Sequence, residues 1–506
     1  MLGAPKLIYD LGIPKSLVAH EIFEQYEGIE LSINIHNGIG KDIWASPYFL
    51  LLVLALGVFM TALDSYIFVP ALPTIVGDLH TSLDWVTWTM TIFLLFWTAI
   101  MPLEGKLSDV YGRKKVYIAG ITLFTLGSLA SSLSWDIYSL IAFRGLQAIG
   151  AGLVLPSALA AINSVSSEDK KGKTMGALMA MAAVAMVIGP NLGGYFIEHF
   201  GWRTVFYINI PLGILAILLM LKFKESFGET KERIDVVGST LLVAALAALL
   251  LGLVRLETLP FADITVFPLF IACVLLGLML FWFERRIQAP ILDMPLIMRG
   301  DILSLNLAQL AINLSLVCAM FYVPSFAQLV LHMNVQDSGT ILTPMSVSLM
   351  VTAIVGGVLL DKFGAKAMLL IGCVFASGAA IYLAEYVNDP TSLAIALTSI
   401  GIGLGLGMGA FQIIMLSYMP ESEKGTGTGI LMTFKNVGST IGSVIGGFFL
   451  SDVTRKVATF GQAFHNIFWV GATMAIIAVV MVVFLIVWSQ MRSRRKNVDP
   501  IPLPYL

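Results

Sequence analysis

Asp64 and Arg144 are the residues whose chemistry the rest of the chain has to explain. Each lies inside a long apolar run, and a charge at the centre of a bilayer costs about 2.5–3.5 kcal/mol even on a lenient insertion scale. Asp64 lies about 17 residues, or roughly 26 Å of helix, from the start of its run; Arg144, in a run passing the other way, lies about 8 residues, or roughly 12 Å, from the outer end. With the reach of an arginine these depths overlap, so the two can pair. An apolar bundle penalises a charged carboxylate and a nearby guanidinium restores it, so movement of the arginine would load or release a proton. The same two residues could instead be a fixed tie between helices. Glu104, at the end of the next run, joins the proton-coupling candidates; it and Lys435 either take part in coupling or snorkel to the interface.

Amides form a second group. Asn306, Gln309 and Asn313, spaced by three and four residues, share one helical face, with Gln328 further along. Within a span such residues either glue helices or line a cavity. Trp88, Phe93, Trp97 and Phe411 suit a greasy, adaptable pocket, or simply pack. Cys273, Cys318 and Cys373 fall in apolar runs without metal-ligand spacing, so neither a metal site nor a cofactor is expected.

The elements that position these groups follow from composition. The 506 residues are 58% hydrophobic and 12% charged, the balance of an all-α polytopic membrane protein. A net charge of -2 gives no overall attraction to nucleic acid. Runs long enough to cross about 30 Å of hydrocarbon number fourteen, near 47–73, 85–104, 115–133, 137–163, 174–197, 203–222, 236–254, 265–283, 302–330, 339–360, 366–386, 391–418, 426–450 and 466–488. Basic residues crowd alternate loops, including Arg113, Lys114, Lys115, Lys170, Lys171, Arg285 and Lys366, which places those loops and both termini in the cytoplasm. Residues 1–45 are an extension in which Ser16–Tyr26 could form an amphipathic helix.

A duplication organises the spans. Gly105-Lys-Leu-Ser-Asp109-Val-Tyr-Gly112-Arg113 returns at Gly357-Val-Leu-Leu-Asp361-Lys-Phe-Gly364-Ala365, Val69-Pro70 at Val323-Pro324, and the Gly189, Gly193, Gly194 pattern at Gly442, Gly446, Gly447. The expected domains are therefore a six-helix bundle over 46–222, a linker with two extra spans over 223–300, a second bundle over 301–490 and a tail over 491–506. Parallel six-span repeats describe an alternating-access transporter with its site between the halves. Opposite Asp64 and Arg144 the second half carries Cys318 and the apolar stretch around Ala396, so proton chemistry is concentrated in the first. Gly189-Pro190-x-x-Gly193-Gly194 permits close helix approach and bending, as a packing hinge or as plain helix glue. The Gly105–Lys115 stretch has glycines for a tight turn and a basic cluster, as an anchor or as a gate.

Over about residues 47–490 the chain resembles the major facilitator superfamily and, within it, the fourteen-span drug:proton antiporters. Leu63-Asp64 through Ala71-Leu72-Pro73 is similar to that family's span 1 motif, Gly105–Lys115 to its loop between spans 2 and 3, Arg144-Gly-Leu-Gln147-x-x-Gly150 to its span 4 motif, and Gly189–Gly194 to its antiporter motif; Gly201-Trp202-Arg203-x-x-Phe206-x-Ile208-Asn209-x-Pro211-x-Gly213 completes the series. The resemblance implies the major facilitator fold in the cell membrane, exporting small lipophilic or cationic compounds against protons; a monomer is expected. It further implies Asp64 as proton site, Arg144 as its partner and a cytoplasmic latch of Asp109 and Arg113; from the residues themselves, Trp97, Gln147, Asn306, Gln309, Asn313, Gln328 and Phe411 are assigned to a substrate cavity.

Departures narrow this reading. Ser65-Tyr66-Ile67-Phe68 replaces the small polar stretch that usually follows the span 1 aspartate, and Glu104 stands where a small neutral residue is usual. Spans 10 and 13 lack a central acid, which disfavours dications and leaves monocations, neutral lipophiles or an anionic metabolite. The alternatives are export of one specific metabolite, an importer of the same fold, or a membrane sensor. A peptide importer would be expected to carry Glu-x-x-Glu-Arg in span 1, and an enzyme would need a catalytic cluster; neither is present.

Overall fold

A helix stands at each of the fourteen expected positions. The computed structural model describes residues 47–165, 168–223, 225, 236–258, 263–287, 294–419 and 424–495; the extension over 1–45, with its Ser16–Tyr26 helix, and most of the tail lie outside the described residues. The long helices are α1 Pro47–Ile67, α2 Leu83–Tyr111, α3 Arg113–Ser132, α4 Ile137–Val165, α5 Glu168–Phe200, α6 Asn209–Met220, α7 Val236–Thr258, α8 Phe267–Glu284, α9 Gly300–Leu329, α10 Thr343–Phe363, α11 Ala365–Glu385, α12 Pro390–Ser417, α13 Lys424–Thr454 and α14 Phe460–Arg495. By length and composition eleven helices among the described residues could cross a membrane, while Thr204–Met220 and Thr240–Leu249 are shorter apolar helices. The remaining one, α3, is diluted by buried Gly120, Thr125, Gly127 and Ser128, small residues that let α4 approach. A Cβ on Gly127 would stand 2.6 Å from the backbone of Gln147.

Two bundles of six repeat one packing plan. α3 packs on α4, α1 on α5 and α6 on both α1 and α3; in the second half α11 packs on α12, α9 on α13 and α14 on both α9 and α11. α7 and α8 pack on each other, and α7 rests against α2 and α13. Val274, Leu275, Leu278, Met279 and Trp282 of α8 are each more than half exposed, as hydrocarbon solvent permits.

The duplication persists at the level of caps and turns. Gly112 (φ 102°) and Gly364 (φ 82°) end α2 and α10 in backbone that favours glycine, and each donates its N–H four residues back, to Ser108 and Leu360. Sequence patterning ended the second span at 104 and placed Gly105 in the turn beyond it; Gly105 instead lies inside α2, because helical hydrogen bonding continues until a residue can take positive φ, and Gly357 lies inside α10 as the span over 339–360 requires. Asp136 accepts from the N–H of Ser139 at 2.7 Å before α4, and Asp389 from that of Ser392 at 3.0 Å before α12. In both, the serine hydroxyl faces the aspartate's own N–H, the reciprocal arrangement that satisfies a helix start.

The end bearing Gly112 and Gly364 is called the motif end below, and the opposite one the far end. An apolar cluster of Val53, Leu54, Tyr117, Phe124 and Ile162 fills the motif-ward part of the first half. A larger cluster joins Ile67, Phe68 and Phe206 of the first half to Leu305, Phe326 and Phe464 of the second. Hydrogen bonds also cross between the halves at the far end: Thr343 Oγ1 donates to Asn191 Oδ1 at 2.9 Å, the Gln336 N–H to Glu198 Oε2 at 2.7 Å, and Gln328 Nε2 to the Pro70 carbonyl at 3.0 Å. α2 and α13 form an antiparallel seam through Asp84 and Thr454, Thr91 and Ser443, and Met101 and Asn436.

Candidate functional site

Asp64 lies in the last turn of α1, just before the helix breaks. Pro70 lacks an N–H and cannot continue the ladder, so the chain passes through a single 3-10 turn, Val69–Ala71, before resuming as the short helix Leu72–Asp78. Arg144 lies two turns into α4. Both residues are buried, Asp64 at 0% and Arg144 at 1% exposure, and Arg144 Nη1 donates to Asp64 Oδ2 at 2.5 Å. The depths read from sequence thus bring the two together.

Three further side chains complete the site. Gln147 Nε2 donates to Asp64 Oδ1 at 2.9 Å, while its Oε1 accepts from Arg144 Nη1 at 2.8 Å; one residue therefore serves both charges. Asn209 Nδ2 donates to Asp64 Oδ1 at 2.8 Å and to Ser128 Oγ at 3.0 Å. Ser128 in turn donates to the Phe206 carbonyl at 2.9 Å. The carboxylate thus accepts from three donors carried by α4 and α6. Around the guanidinium stand the rings of Phe93 at 4.2 Å, Phe68 at 4.9 Å and Phe206 at 5.6 Å, each able to attract a cation through its π face.

Asn209 and Ser128 were not singled out by sequence reasoning. Neutral polar residues are ordinary in spans, and the available signal was the run Gly201–Gly213, read only as a family mark. The structure shows that this run builds the wall of the site. Trp202 Nε1 and Arg203 Nη1 donate to Asp78 Oδ2 at 2.9 and 2.5 Å, tying the far end of the α1 segment to the start of the sixth span. Phe206 supplies a ring and a carbonyl, and Gly213 lets α6 meet Thr125.

The other candidates fall into separate places. Gly189 and Gly193 of α5 face Tyr66 and Ile67, the turn that follows Asp64: a Cβ on Gly193 would stand 2.1 Å from the Ile67 carbonyl oxygen. Gly194 abuts Gln336, and the Pro190 carbonyl meets Gly339, so this motif touches both α1 and the other half. Glu104 is fully buried in α2 but is not a partner of Asp64; it lies eleven residues, about 16 Å of helix, beyond Phe93. Arg113 begins α3, whose N-terminus is held by Glu225: Oε1 accepts from the Lys114 N–H at 2.8 Å. Lys114 Nζ donates to the carbonyls of Leu221 and Phe223 beyond the end of α6; its counterpart Lys366 donates to Ser489 of α14. The side chains of Asp109 and Asp361 lie outside the described residues; their backbones are in the last turns of α2 and α10. Lys435 lies, partly buried, in the motif-ward half of α13.

The residues assigned to a substrate cavity divide. Gln309, Asn313 and Phe411 line one narrow cleft of about 20 Å³ between α9, α11 and α12, with Cys373 and Met408. Asn306, on the same face one turn motif-ward, is fully buried outside that lining. Gln147 belongs to the Asp64 network, Gln328 to the far-end contact, and Trp97 packs edge-on to Phe93 at 5.6 Å.

The model of the Major Facilitator Superfamily matches residues 54–300 and 305–504. The chain is 32% identical over 395 residues to the multidrug transporter protein MdtP of Bacillus subtilis, spanning 77% of this chain and 72% of that one. To the multidrug resistance protein Stp of Mycobacterium tuberculosis it is 30% identical over 401 residues, 78% of this chain and 74% of the other. To the riboflavin transporter RibZ of Clostridioides difficile it is 27% identical over 467 residues, 89% and 99%. Among solved structures the inward-open xylose transporter XylE from E. coli superposes with a TM-score of 0.61 at 12% identity, covering 86% of this chain and 96% of that one, a likeness of fold. With two six-helix bundles, an inserted pair and these relatives, the chain belongs to the Major Facilitator Superfamily and groups with its transporters of the multidrug-efflux type.

Proposed function

We propose that this transporter exports small lipophilic or cationic compounds in exchange for protons, with Asp64 as the proton-carrying group. The observation that carries the reading is the fully buried Asp64–Arg144 pair. A pair in such a place is costly to keep, and a single proton on the carboxylate removes one of its two charges. Arg144 would not then be stranded, because Gln147 Oε1 and three aromatic faces still hold it. Protonation would loosen the tie from α1 to α4 and α6. α1 is also wedged by Gly189 and Gly193 and, one turn on, bonded through Pro70 to Gln328 of the other half, so a change of charge at Asp64 has a short path to the far-end seal.

The basic loops put the motif end in the cytoplasm, which makes the far end the outer one and this conformation closed to the outside. In this reading Asp109 and Arg113 form the motif-end latch, and the cleft at Gln309, Asn313 and Phe411 contributes to substrate binding. The relatives named as multidrug proteins support a broad lipophilic or cationic range; RibZ, aligned over almost its full length, supports a second reading, export or import of one planar metabolite. A panel of fluorescent cations together with riboflavin, assayed in everted vesicles under an imposed pH gradient, separates them. Gradient-driven movement of at least one cation is expected, and Asp64→Asn should abolish it at normal expression. Full driven transport by Asp64→Asn would remove Asp64 from the mechanism.

A further inference from the structure

The proton site contains a group that can change its hydrogen-bonding sense without any helix moving. Asn209 is fully buried; its Nδ2 bonds Asp64 Oδ1 and Ser128 Oγ, and its Oδ1 has no hydrogen-bond partner among the described residues. A side-chain amide has a donor end and an acceptor end of nearly the same shape. A charged carboxylate can only accept, which fixes the present orientation with the NH2 towards Asp64.

We propose that Asn209 is a two-position amide switch that serves Asp64 in both of its protonation states, an inference that rests on Asp64 being the proton site. The proton is taken up at Oδ1, since Oδ2 is held by the Arg144 guanidinium. Oδ1 keeps the Gln147 N–H as a donor and gains a hydrogen of its own. A half-turn of the Asn209 amide then exchanges its ends: Asn209 Oδ1 accepts from the new Asp64 O–H, and Nδ2 moves to the position now held by the unpartnered oxygen. Ser128 follows by turning its hydroxyl from the Phe206 carbonyl to Asn209 Oδ1. That turn gives up the Ser128 bond to the Phe206 carbonyl. Loss of the proton reverses each step, and the proton that enters at Oδ1 is the one that leaves.

Among the described residues bonded to Asp64, none other competes for this role. α4 presents Arg144 and Gln147, α3 Ser128, α6 Asn209, the short helix before it Phe206, and α5 the glycines 189 and 193. Arg144 is the charged group bonded to Asp64, and as a guanidinium it gives up no proton in this range. Asn209 is therefore a positioning residue whose acceptor end is kept in reserve.

Infrared difference spectroscopy between acid and neutral pH, on the purified full-length protein with ¹³C-labelled asparagine and no substrate, tests this directly. The expected result is a carboxylic C=O band that is lost in Asp64→Asn, rising together with a shifted asparagine side-chain band that is lost in Asn209→Leu or Asn209→Ser. A carboxyl band assigned to Asp64 with no asparagine band titrating beside it would overturn the switch and leave the proton site standing. A carboxyl band that survives Asp64→Asn would overturn the proton site itself, and the switch with it.

Discussion

Charges in apolar runs are conspicuous, which is why Asp64 and Arg144 could be found from the chain alone and why their depths sufficed to pair them. Gln147, Asn209 and Ser128, which decide how the carboxylate is held, are neutral. Their spacing carries no comparable signal, because their meeting depends on how α3, α4 and α6 rotate about their axes. The same network makes a stability prediction. Arg144→Gln leaves a carboxylate buried without a cation, a change that costs about 3–5 kcal/mol when one partner of a buried pair is removed. Adding Asp64→Asn should recover most of that loss. Unfolding of both variants in detergent measures it, and an Arg144→Gln protein as stable as the parent would mean that the pair is not held in charged form.

Individual helices are set by close approaches and caps. Gly193→Ala would drive a methyl into the Ile67 carbonyl at 2.1 Å, and overpacking of this kind costs about 1–3 kcal/mol. Weaker thermal stability and slowed transport are expected together, since the displaced turn follows Asp64; unimpaired transport would show that α1 and α5 need not touch. The caps make a pH prediction. The Ser392 N–H, followed by its hydroxyl, holds the Asp389 carboxyl below the usual carboxylate range, and Ser139 does the same for Asp136. With a folded value below the unfolded one, the cap contributes fully above the ordinary carboxylate range and is lost as pH falls through the folded value. Asn caps nearly as well but does not titrate. Melting curves of Asp389→Asn and the parent should therefore be similar near neutral pH, and only the parent should lose the cap's share in acid. These caps were within reach of the sequence, because Asp136 and Ser139 recur as Asp389 and Ser392, whereas the helical state of Gly105 was not, since glycine spacing alone does not show which glycine makes the turn.

At the scale of the whole molecule, the repeat made the two bundles legible, but the surfaces on which they meet were not. The α2–α13 seam and the far-end bonds join residues more than a hundred positions apart that are ordinary in type. If rocking opens the far end, joining Asn191→Cys to Thr343→Cys by a disulfide should arrest transport, with recovery on reduction; undiminished transport by the cross-linked protein would exclude opening at that end. The central claim is that one half carries the proton and that its carrier is Asp64. Proton release on binding a transported fluorescent cation, followed with a pH-sensitive dye in weakly buffered detergent solution, tests it most directly. The parent should release protons and Asp64→Asn should bind the cation and release none; an equal release from Asp64→Asn would contradict the account.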